Sequence, residues 1–354
     1  MRYVETIIVG GGPAGSTCAR HLVQHGRDVL VLDKARFPRL KLCAGWITAK
    51  VMLDLEFTAA DYPHPILQLD IRTHFFSLPF ALHWFPTPGP DFSIRRVEFD
   101  AWLLARSGAE VIEQDVKTIR RDGERYVVDD AYACRYLIGA GGTTCPVRRK
   151  LFPDGRQKSR QIVTLEKEFE YPARDDICHL YFFRRGLVGY AWIVPKGDGF
   201  VNVGIGGKAK HLKSSDRNIH DHFRAFLDDL VQEKRLDAAT ARNLQETGHP
   251  YYLFTFEGEI RRDNCFLIGD SAGLATVDLG EGIGPAVESG LMAAREIVGT
   301  GTYRKEDISV CSFEGIVSNL ARRANRRHLP APGTHHGQGA ASAKHMLPHS
   351  TGLR

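Results

Sequence analysis

Three glycines and one aspartate near the start of the chain have the spacing of a dinucleotide-binding turn. An apolar run over 6–9 leads directly into Gly10, Gly12 and Gly15, and a second apolar run ends at Asp33. In such a βαβ unit the first glycine allows a tight turn, the second lets the backbone approach a pyrophosphate, and the third lets helix and strand pack closely. The pattern therefore predicts pyrophosphate binding at a helix N-terminus, with Asp33 accepting a ribose hydroxyl. A glycine-rich turn between core strands is the alternative interpretation.

Two later segments repeat the order of apolar strand followed by glycines. The run over 134–138 leads into 139–142, and the run over 265–268 leads into Gly269 and Asp270, with a further glycine-rich stretch over 280–284. Each of these segments is a weak signal by itself. Together with the first segment they are informative, because all three segments predict a glycine-bearing turn directly after a buried strand.

In this order the three segments resemble the FAD-dependent oxidoreductases of the para-hydroxybenzoate hydroxylase fold, and most closely the geranylgeranyl reductase-like flavoproteins. The resemblance covers about 1–325, and four further pieces carry it: Lys41-Leu42-Cys43-Ala44-Gly45, Arg96-x-x-Phe99-Asp100, Gly189-Tyr190-Ala191-Trp192-Ile193-Val194-Pro195-Lys196, and Gly269-Asp270 with Gly280-Glu281-Gly282-Ile283. It implies an enzyme with FAD as cofactor that reduces carbon–carbon double bonds of an isoprenoid or other apolar substrate by hydride transfer from reduced flavin. A flavin monooxygenase of an aromatic substrate, a flavin-dependent halogenase and a non-enzymatic flavin-binding redox module are the alternatives.

The resemblance also assigns roles to individual residues. Cys43 and Tyr190 are the candidate catalytic residues, and Tyr190 and Trp192 are expected to line the substrate pocket. Asp270 is expected to accept hydrogen bonds from ribityl hydroxyls. The residues expected to bind the cofactor are Gly10, Gly12, Pro13, Ala14, Gly15, Asp33, Lys34, Cys43, Ala44, Arg96, Gly141, Gly269, Asp270, Gly282 and Ile283.

Several of these residues also have simpler interpretations. Cys43 could be a buried, inert thiol, and Asp270 could cap a helix. Arg96 could be a helix-surface arginine paired with Glu98 or Asp100. Lys41 either orients the loop or faces solvent, and the sequence leaves both open.

The chain departs from the family pattern at two positions. Gly141 stands where the family usually has an aspartate, and Ala44 replaces the first glycine of its Lys-x-Cys-Gly-Gly segment. No second GxGxxG motif is present. We therefore expect an external electron donor, either NAD(P)H or a redox protein.

The periodicity of the chain predicts an α/β fold in which a discontinuous nucleotide-binding domain is interrupted by a mostly antiparallel β-sheet. The resemblance implies that the first is a Rossmann-like FAD-binding domain of the para-hydroxybenzoate hydroxylase type and that the inserted sheet is a substrate domain. The first domain is expected over 1–60, 95–155 and 256–327, and the insertion over 61–94 and 156–255. Strands are expected over 109–116 and in alternating runs between 160 and 207, and helices from Arg96, over 216–246 and over 284–298. The tail, 328–354, should be disordered because it has little apolar material.

Composition excludes several classes of protein. The 354 residues carry a net charge of +5 without a dense basic stripe, so nucleic acid is not expected as a partner. The chain has no stretch of eighteen apolar residues, enters its first strand without room for a signal peptide, and has seven scattered cysteines without a CxxC motif. These features predict reduced thiols and a cytoplasmic protein. No metal site is expected, and the oligomeric state is left open.

One basic run is compatible with peripheral contact between the protein and a membrane. Four arginines fall within 322–327. Such a run is typical of a solvated helix end, and peripheral contact with phospholipid head groups is the alternative.

Overall fold

The computed structural model describes residues 1–76, 89–153, 160–214 and 217–312. The strands within these residues are β1 (Arg2–Val9), β2 (Val29–Asp33), β3 (Trp46–Thr48), β4 (Leu67–Phe75), β5 (Asp91–Ser93), β6 (Glu110–Glu113), β7 (Ile119–Asp122), β8 (Arg125–Val128), β9 (Tyr132–Gly139), β10 (Gln161–Glu170), β11 (Ile177–Phe182), β12 (Gly189–Pro195), β13 (Phe200–Lys208), β14 (Thr247–Tyr252), β15 (Arg261–Arg262) and β16 (Cys265–Leu267). The helices are α1 (Pro13–Gln24), α2 (Ala49–Asp54), α3 (Arg96–Arg106), α4 (Pro146–Leu151), α5 (Ala209–Ser214), α6 (Ile219–Gln232), α7 (Ala238–Asn243) and α8 (Ile283–Ile297). The predicted disordered tail and the arginine run over 322–327 lie outside the described residues.

The first sheet has the strand order β15-β16-β9-β1-β2-β6, and the β7–β8 hairpin joins it at β9. Its central pairs, β16–β9, β9–β1, β1–β2 and β2–β6, are all parallel. Every residue of β2 is buried, as expected of a parallel strand covered on both faces. Together with α1 and α8, this sheet confirms the predicted Rossmann-like α/β architecture.

The second sheet has the order β14-β10-β13-β12-β11-β4-β5-β3. Its pairs are antiparallel except for β4 and β11, which are parallel. The sheet is therefore mostly antiparallel, as predicted. Strand β3 belongs to this sheet although it lies within the first sixty residues.

Helices α6 and α7 cover one face of the second sheet. Asn218 starts α6 because its side chain accepts a hydrogen bond from the Asp221 N–H at 3.0 Å. Phe223, Phe226 and Leu230 then recur at helical spacing and pack against the sheet. The predicted helical region over 216–246 is two helices, because α6 ends at Gln232 and α7 starts after the Asp237 cap.

The other predicted elements are present with small shifts. Helix α3 begins at Arg96 as expected, and α8 spans Ile283–Ile297 rather than 284–298. The strand expected over 109–116 is shorter, since only Glu110–Glu113 pairs with β2.

Parallel pairing brings the three glycine segments together. The register places Val9 beside Leu32 on one side and Gly139 on the other, and Leu267 beside Gly139. The carboxyl ends of β1, β2, β9 and β16 therefore lie along one edge of the first sheet. Ligands of open α/β sheets bind at this edge, so the glycine turns that follow these strands form one candidate site.

Candidate functional site

A cavity of about 1030 Å³ lies at the carboxyl edge of the first sheet. Glycine turns, the start of α1 and Asp33 line one part of it, and side chains of the second sheet, including Trp192 and Val194, line another. The cavity therefore joins the predicted dinucleotide-binding turn to the predicted substrate-binding sheet.

The three glycines after β1 have three different steric roles. Gly10 has a φ of 116°, and a Cβ added there would overlap the backbone of Ala140. A Cβ on Gly15 would overlap the Gly10 carbonyl oxygen, whereas one on Gly12 would meet only Arg39 Nη2 at 3.4 Å. Gly10 and Gly15 are thus required by packing. Gly12 leaves open the space through which a phosphate could reach the backbone, and α1 begins directly after it.

Asp33 is fixed at the end of β2 by two backbone donors. The N–H of Gly11 donates to Oδ2 at 2.7 Å, and the N–H of Ala35 donates to Oδ1 at 2.9 Å. Each carboxylate oxygen can accept a further hydrogen bond, and Asp33 and the exposed Lys34 both line the cavity. The geometry suits an acceptor for ribose hydroxyls.

Arg96 is a buried residue rather than a helix-surface arginine. Its Nε and Nη2 donate to the two oxygens of Asp100 at 2.6 Å and 2.8 Å, and Arg39 Nη1 lies 3.3 Å from the same carboxylate. Arg96 is 7% exposed, lines the cavity and interacts with the side chain of Cys43. The expected pairing with Asp100 is present, and it orients the guanidinium beside the cavity.

The third glycine segment meets the start of α8. A Cβ on Gly282 would lie 3.4 Å from Asp270 Oδ1, so the carboxylate and the helix start are neighbours in the cavity wall. Asp270 itself lies inside the short 3₁₀ turn over Gly269–Ser271, whose cap position is occupied by Ile268. At the start of α8, the N–H of Gly284 donates to Glu281 Oε1 at 2.9 Å.

Two side chains from the second sheet hold the loop that contains Cys43. Lys196 Nζ donates to the carbonyl of Ala44 and, at 2.9 Å, to that of Ile94, while Asn202 Nδ2 donates to the carbonyl of Cys43 at 3.3 Å. Burial lowers the pKa of the Lys196 ammonium. The Cys43 and Ala44 side of this loop faces the cavity.

The Cys43 thiol itself has two polar neighbours. Its Sγ accepts a hydrogen bond from the Gly45 N–H at 3.3 Å, and its side chain interacts with Arg96. The thiol is only partly buried. These contacts differ from the purely apolar surroundings of an inert structural cysteine.

Glu166 is a cavity-lining residue that the sequence analysis did not identify. The residue is 2% exposed, its Oε2 has no hydrogen-bond partner among the described residues, and Asn202 interacts with its side chain. Burial raises the pKa of the Glu166 carboxyl to about 7. A glutamate in an alternating strand resembles a solvent-facing residue, and only the pairing of β10 with β13 reveals that it is buried.

Lys41 and His249 form a second polar pair in the cavity. Lys41 Nζ and His249 Nε2 are 2.7 Å apart. Burial and the adjacent ammonium lower the pKa of His249 to about 4, so its neutral ring accepts the hydrogen bond. Lys41 therefore faces the cavity, and His249 is a second site residue that the sequence analysis missed.

Tyr190 and Trp192 both face the cavity, as their alternation on β12 predicts. The Tyr190 hydroxyl donates to the carbonyl of Leu279, and burial raises its pKa. Trp192 Nε1 donates to Asn202 Oδ1 at 2.7 Å. Because both polar groups are engaged, the two rings present mainly apolar surface to the cavity.

Most residues predicted to bind the cofactor line this cavity, and two do not. Gly15 packs against Gly10, and the Gly269 N–H donates to Ser289 Oγ at 2.9 Å behind the wall. The residues that do line it are Gly10, Gly12, Pro13, Ala14, Asp33, Lys34, Cys43, Ala44, Arg96, Gly141, Asp270, Gly282 and Ile283. At Gly141, a Cβ would lie 3.2 Å from the Cys145 Cα, so the position has little room for the family's aspartate.

The described ranges contain neither a cluster of metal ligands nor a helix that could cross a membrane. Across 1–76, 89–153, 160–214 and 217–312, no group of three or more His, Cys, Asp or Glu side chains has the arrangement of a metal site. In the same ranges, no helix combines the length and apolar character needed to cross a bilayer.

Comparison with known sequences gives two family matches. Residues 8–42 match the NAD(P)-binding Rossmann-like domain, and 159–244 match the geranylgeranyl reductase catalytic domain. An uncharacterized protein of Methanosarcina barkeri is 31% identical over 315 residues, which are 84% of this chain and 75% of that protein.

Two relatives have assigned activities in their names. A menaquinone reductase of Mycobacterium tuberculosis is 29% identical, over 82% of this chain and 75% of its own length. Digeranylgeranylglycerophospholipid reductase 3 of Methanosphaera stadtmanae is 28% identical, over 83% and 77% of the two chains.

Solved structures share the fold at low sequence identity. A geranylgeranyl bacteriochlorophyll reductase-like protein of Thermoplasma acidophilum has a TM-score of 0.69 at 18% identity, covering 92% of this chain and 84% of its own. A flavin-dependent brominase has a TM-score of 0.67 at 16% identity, with 92% and 85% of the chains covered. The family matches and these neighbours together indicate a flavin cofactor.

Proposed function

Because the chain belongs to the geranylgeranyl reductase-like family of oxidoreductases, we propose that it binds FAD and reduces carbon–carbon double bonds of an isoprenoid or other long apolar substrate. The observation that carries this proposal is the single cavity that extends from the glycine turn after β1 to the apolar wall of the second sheet. A dinucleotide cofactor and an apolar substrate require these two kinds of surface next to each other.

The polar part of the cavity suits FAD. The open space at Gly12 and the start of α1 would accept the pyrophosphate, and Asp33 would accept the ribose hydroxyls. Asp270 would accept ribityl hydroxyls, and the start of α8 would favour negative charge on the flavin. Arg96, held by Asp100, offers a fixed guanidinium to the same ligand.

The apolar part suits the apolar chain of a substrate. Cys178, Leu180 and Val194 line it together with Tyr190 and Trp192. When bound, reduced flavin supplies the hydride for one carbon of the double bond, and the other carbon needs a proton. This chain's residues would position the apolar chain and hold that proton.

Three groups at the cavity could deliver the proton. Cys43 carries an S–H in the loop between the two parts of the cavity, and Glu166 carries a carboxyl that burial favours in its protonated form. Tyr190 is the weaker candidate, because its hydroxyl proton is already donated to Leu279. We therefore assign proton delivery to Cys43 or Glu166 and wall-lining to Tyr190.

The electron donor would be external, either NAD(P)H or a redox protein, and Gly141 favours the redox protein. All seven cysteines are free, which supports a cytoplasmic protein, and peripheral contact with a membrane would bring it to its substrate. The chain would be divided into an FAD-binding domain and an inserted substrate domain, with the bounds that the sequence predicts.

An anaerobic turnover experiment tests the function. The purified protein is loaded with FAD, reduced by dithionite and mixed with a geranylgeranyl-bearing lipid. We expect oxidation of the flavin and a product that gains two hydrogen atoms for each reduced double bond, measured by mass spectrometry. If reduced protein and lipid give no such product, the reductase assignment is wrong.

The structural similarity to the brominase suggests halogenase or monooxygenase activity as the alternative to reductase activity. With NADPH, oxygen, bromide and an electron-rich aromatic acceptor, a halogenase or monooxygenase would give brominated or hydroxylated product. We expect neither product. Protein that takes up no FAD at all would overturn both assignments.

A further inference from the structure

One end of the second sheet carries exposed aromatic side chains. The register places Phe182 beside Phe75 on one side and Tyr190 on the other, and Gly189 beside Gly207. The ends of β4, β11 and β13 and the start of β12 therefore lie next to one another. The residues that continue from these ends form a single surface.

Three of those residues expose apolar groups. Phe76 is 59% exposed, Phe183 is 43% exposed and Val188 is 47% exposed. The rings of Phe76 and Phe183 stack with centroids 5.5 Å apart. We call Phe76, Phe183 and Val188 the aromatic edge. Adjacent large apolar groups in water mark an interaction surface.

Cations border this aromatic edge. Lys208 follows Gly207 at the end of β13, Lys210 and Lys213 lie on α5 directly after it, and Arg160 precedes β10, whose Ile162 pairs with Lys208. All four side chains are exposed, and within the described residues none forms an ion pair with a carboxylate. We call these four residues the basic rim.

Two nearby arginines show the contrast. Arg184 Nε lies 2.7 Å from Asp229 Oδ2, and Arg185 Nη2 pairs with the other oxygen of the same carboxylate. Arg184 Nη2 also lies 3.0 Å from Glu233 Oε1, so these two arginines have two carboxylates as partners inside the fold. No carboxylate of the described ranges pairs with the basic rim in this way, so we take its charge as available to an anionic partner.

Aromatic rings connect this edge to the cavity. Phe183 contacts Phe182 with ring centroids 6.4 Å apart, Phe182 contacts Tyr190 at 5.3 Å, and Tyr190 contacts Trp192 at 5.5 Å. Tyr190 and Trp192 line the cavity. The exposed surface and the apolar wall of the cavity are thus two ends of one aromatic cluster.

We propose that the aromatic edge and the basic rim dock this protein onto a bilayer that contains anionic lipids, beside the apolar end of its cavity. Aromatic rings insert at the level of the head groups, and lysines around them attract anionic lipid. The proposal rests on the proposed function, because a long apolar substrate resides in such a bilayer. A protein partner would match the apolar groups but would leave the free cations unexplained.

Vesicle binding tests the docking surface. The FAD-loaded full chain is sedimented with vesicles of phosphatidylcholine alone or mixed with phosphatidylglycerol. We expect binding to the mixed vesicles that weakens with salt. Phe76→Ser/Phe183→Ser and Lys210→Glu/Lys213→Glu should each lower the partition coefficient by about tenfold or more.

Matched variants outside the aromatic edge and the basic rim control for general changes in apolar and charged surface. Phe256→Ser removes another exposed aromatic, 64% exposed, and Arg120→Glu/Arg125→Glu makes the same change in net charge on β7 and β8. Both should bind vesicles as the parent does. Binding that is absent in the parent, or equal in the parent and the edge and rim variants, would overturn the proposal.

A soluble substrate separates this proposal from the reductase assignment. With a short, water-soluble prenyl substrate, the edge and rim variants should turn over as the parent does, because their residues do not line the cavity. Loss of activity on vesicle-borne lipid alone supports docking. Absence of turnover in the parent on both substrates would instead contradict the proposed function and leave the vesicle-binding result standing.

Discussion

Glu166 is a cavity carboxyl whose ionisation is opposed by its burial. Burial raises its pKa from 4.5 to about 7. The native state therefore binds this proton more tightly than the unfolded state does. Stability from this group is fully present below about pH 4.5 and is lost as the pH rises through about 7.

Glu166→Gln should remove this pH dependence. The shift corresponds to about 3 kcal/mol as an upper limit, so the parent should lose unfolding free energy between pH 5 and pH 8 that the variant retains. Urea unfolding at the two pH values measures the difference. Glu170→Gln, at the exposed end of the same strand, should behave like the parent. An equal loss in the parent and Glu166→Gln would contradict the raised pKa.

Cys43 and Tyr190 should differ in turnover. Tyr190→Phe removes a hydroxyl whose proton is donated to Leu279, so we expect its kcat to remain within about threefold of the parent. Cys43→Ser should lower kcat by about 100-fold with unchanged FAD content if the thiol delivers the proton. The anaerobic lipid assay measures both. Full activity of Cys43→Ser would remove the thiol from the mechanism and leave proton delivery to Glu166.

At the level of elements, the turn between β1 and α1 separates cofactor binding from folding. Gly12→Val should yield folded protein without retained FAD, because its side chain would point into the cavity. Gly15→Ala should instead reduce folded yield, because its methyl would overlap the Gly10 carbonyl. Absorbance at the flavin band and circular dichroism distinguish the two outcomes. Full flavin occupancy in purified Gly12→Val would contradict the dinucleotide assignment.

Local pattern was sufficient to predict the elements around this turn. The apolar runs before Gly10, Gly139 and Gly269 are buried parallel strands, and the alternating runs between 160 and 207 are antiparallel strands. Such periodicities depend on a few neighbouring residues, which is why they can be read from the sequence.

Contacts between distant segments could not be predicted in the same way. The parallel pairing of β4 with β11 joins residues about a hundred positions apart, and no local pattern encodes it. Glu166 and His249 were missed for the same reason, because each enters the cavity only through the pairing of its strand. The orientation of the Lys41 side chain could not be predicted either, because it depends on a contact with His249, which is distant in the sequence.

At the scale of the whole molecule, the cavity draws on both sheets. A ligand held there binds only the folded state, so it should stabilise the chain as a unit. Stripped protein should gain about 2.7 kcal/mol of unfolding free energy at FAD concentrations a hundred times its Kd. Thermal melts over an FAD titration measure this gain, and Gly12→Val should show none. A parent Tm that does not respond to FAD would contradict the assignment of the cavity.

The strand order of the first sheet also has a consequence for synthesis of the protein. Strand β1 is made first, yet its neighbour β9 ends at Gly139, and β16 closes the sheet only at Leu267. On the ribosome, β9 therefore remains without its outer neighbour β16 while strands β10 to β14 of the second sheet are translated. Long-range parallel pairing of this kind is slow and exposes apolar edges. The nascent chain should consequently need chaperone protection until about residue 270 has emerged.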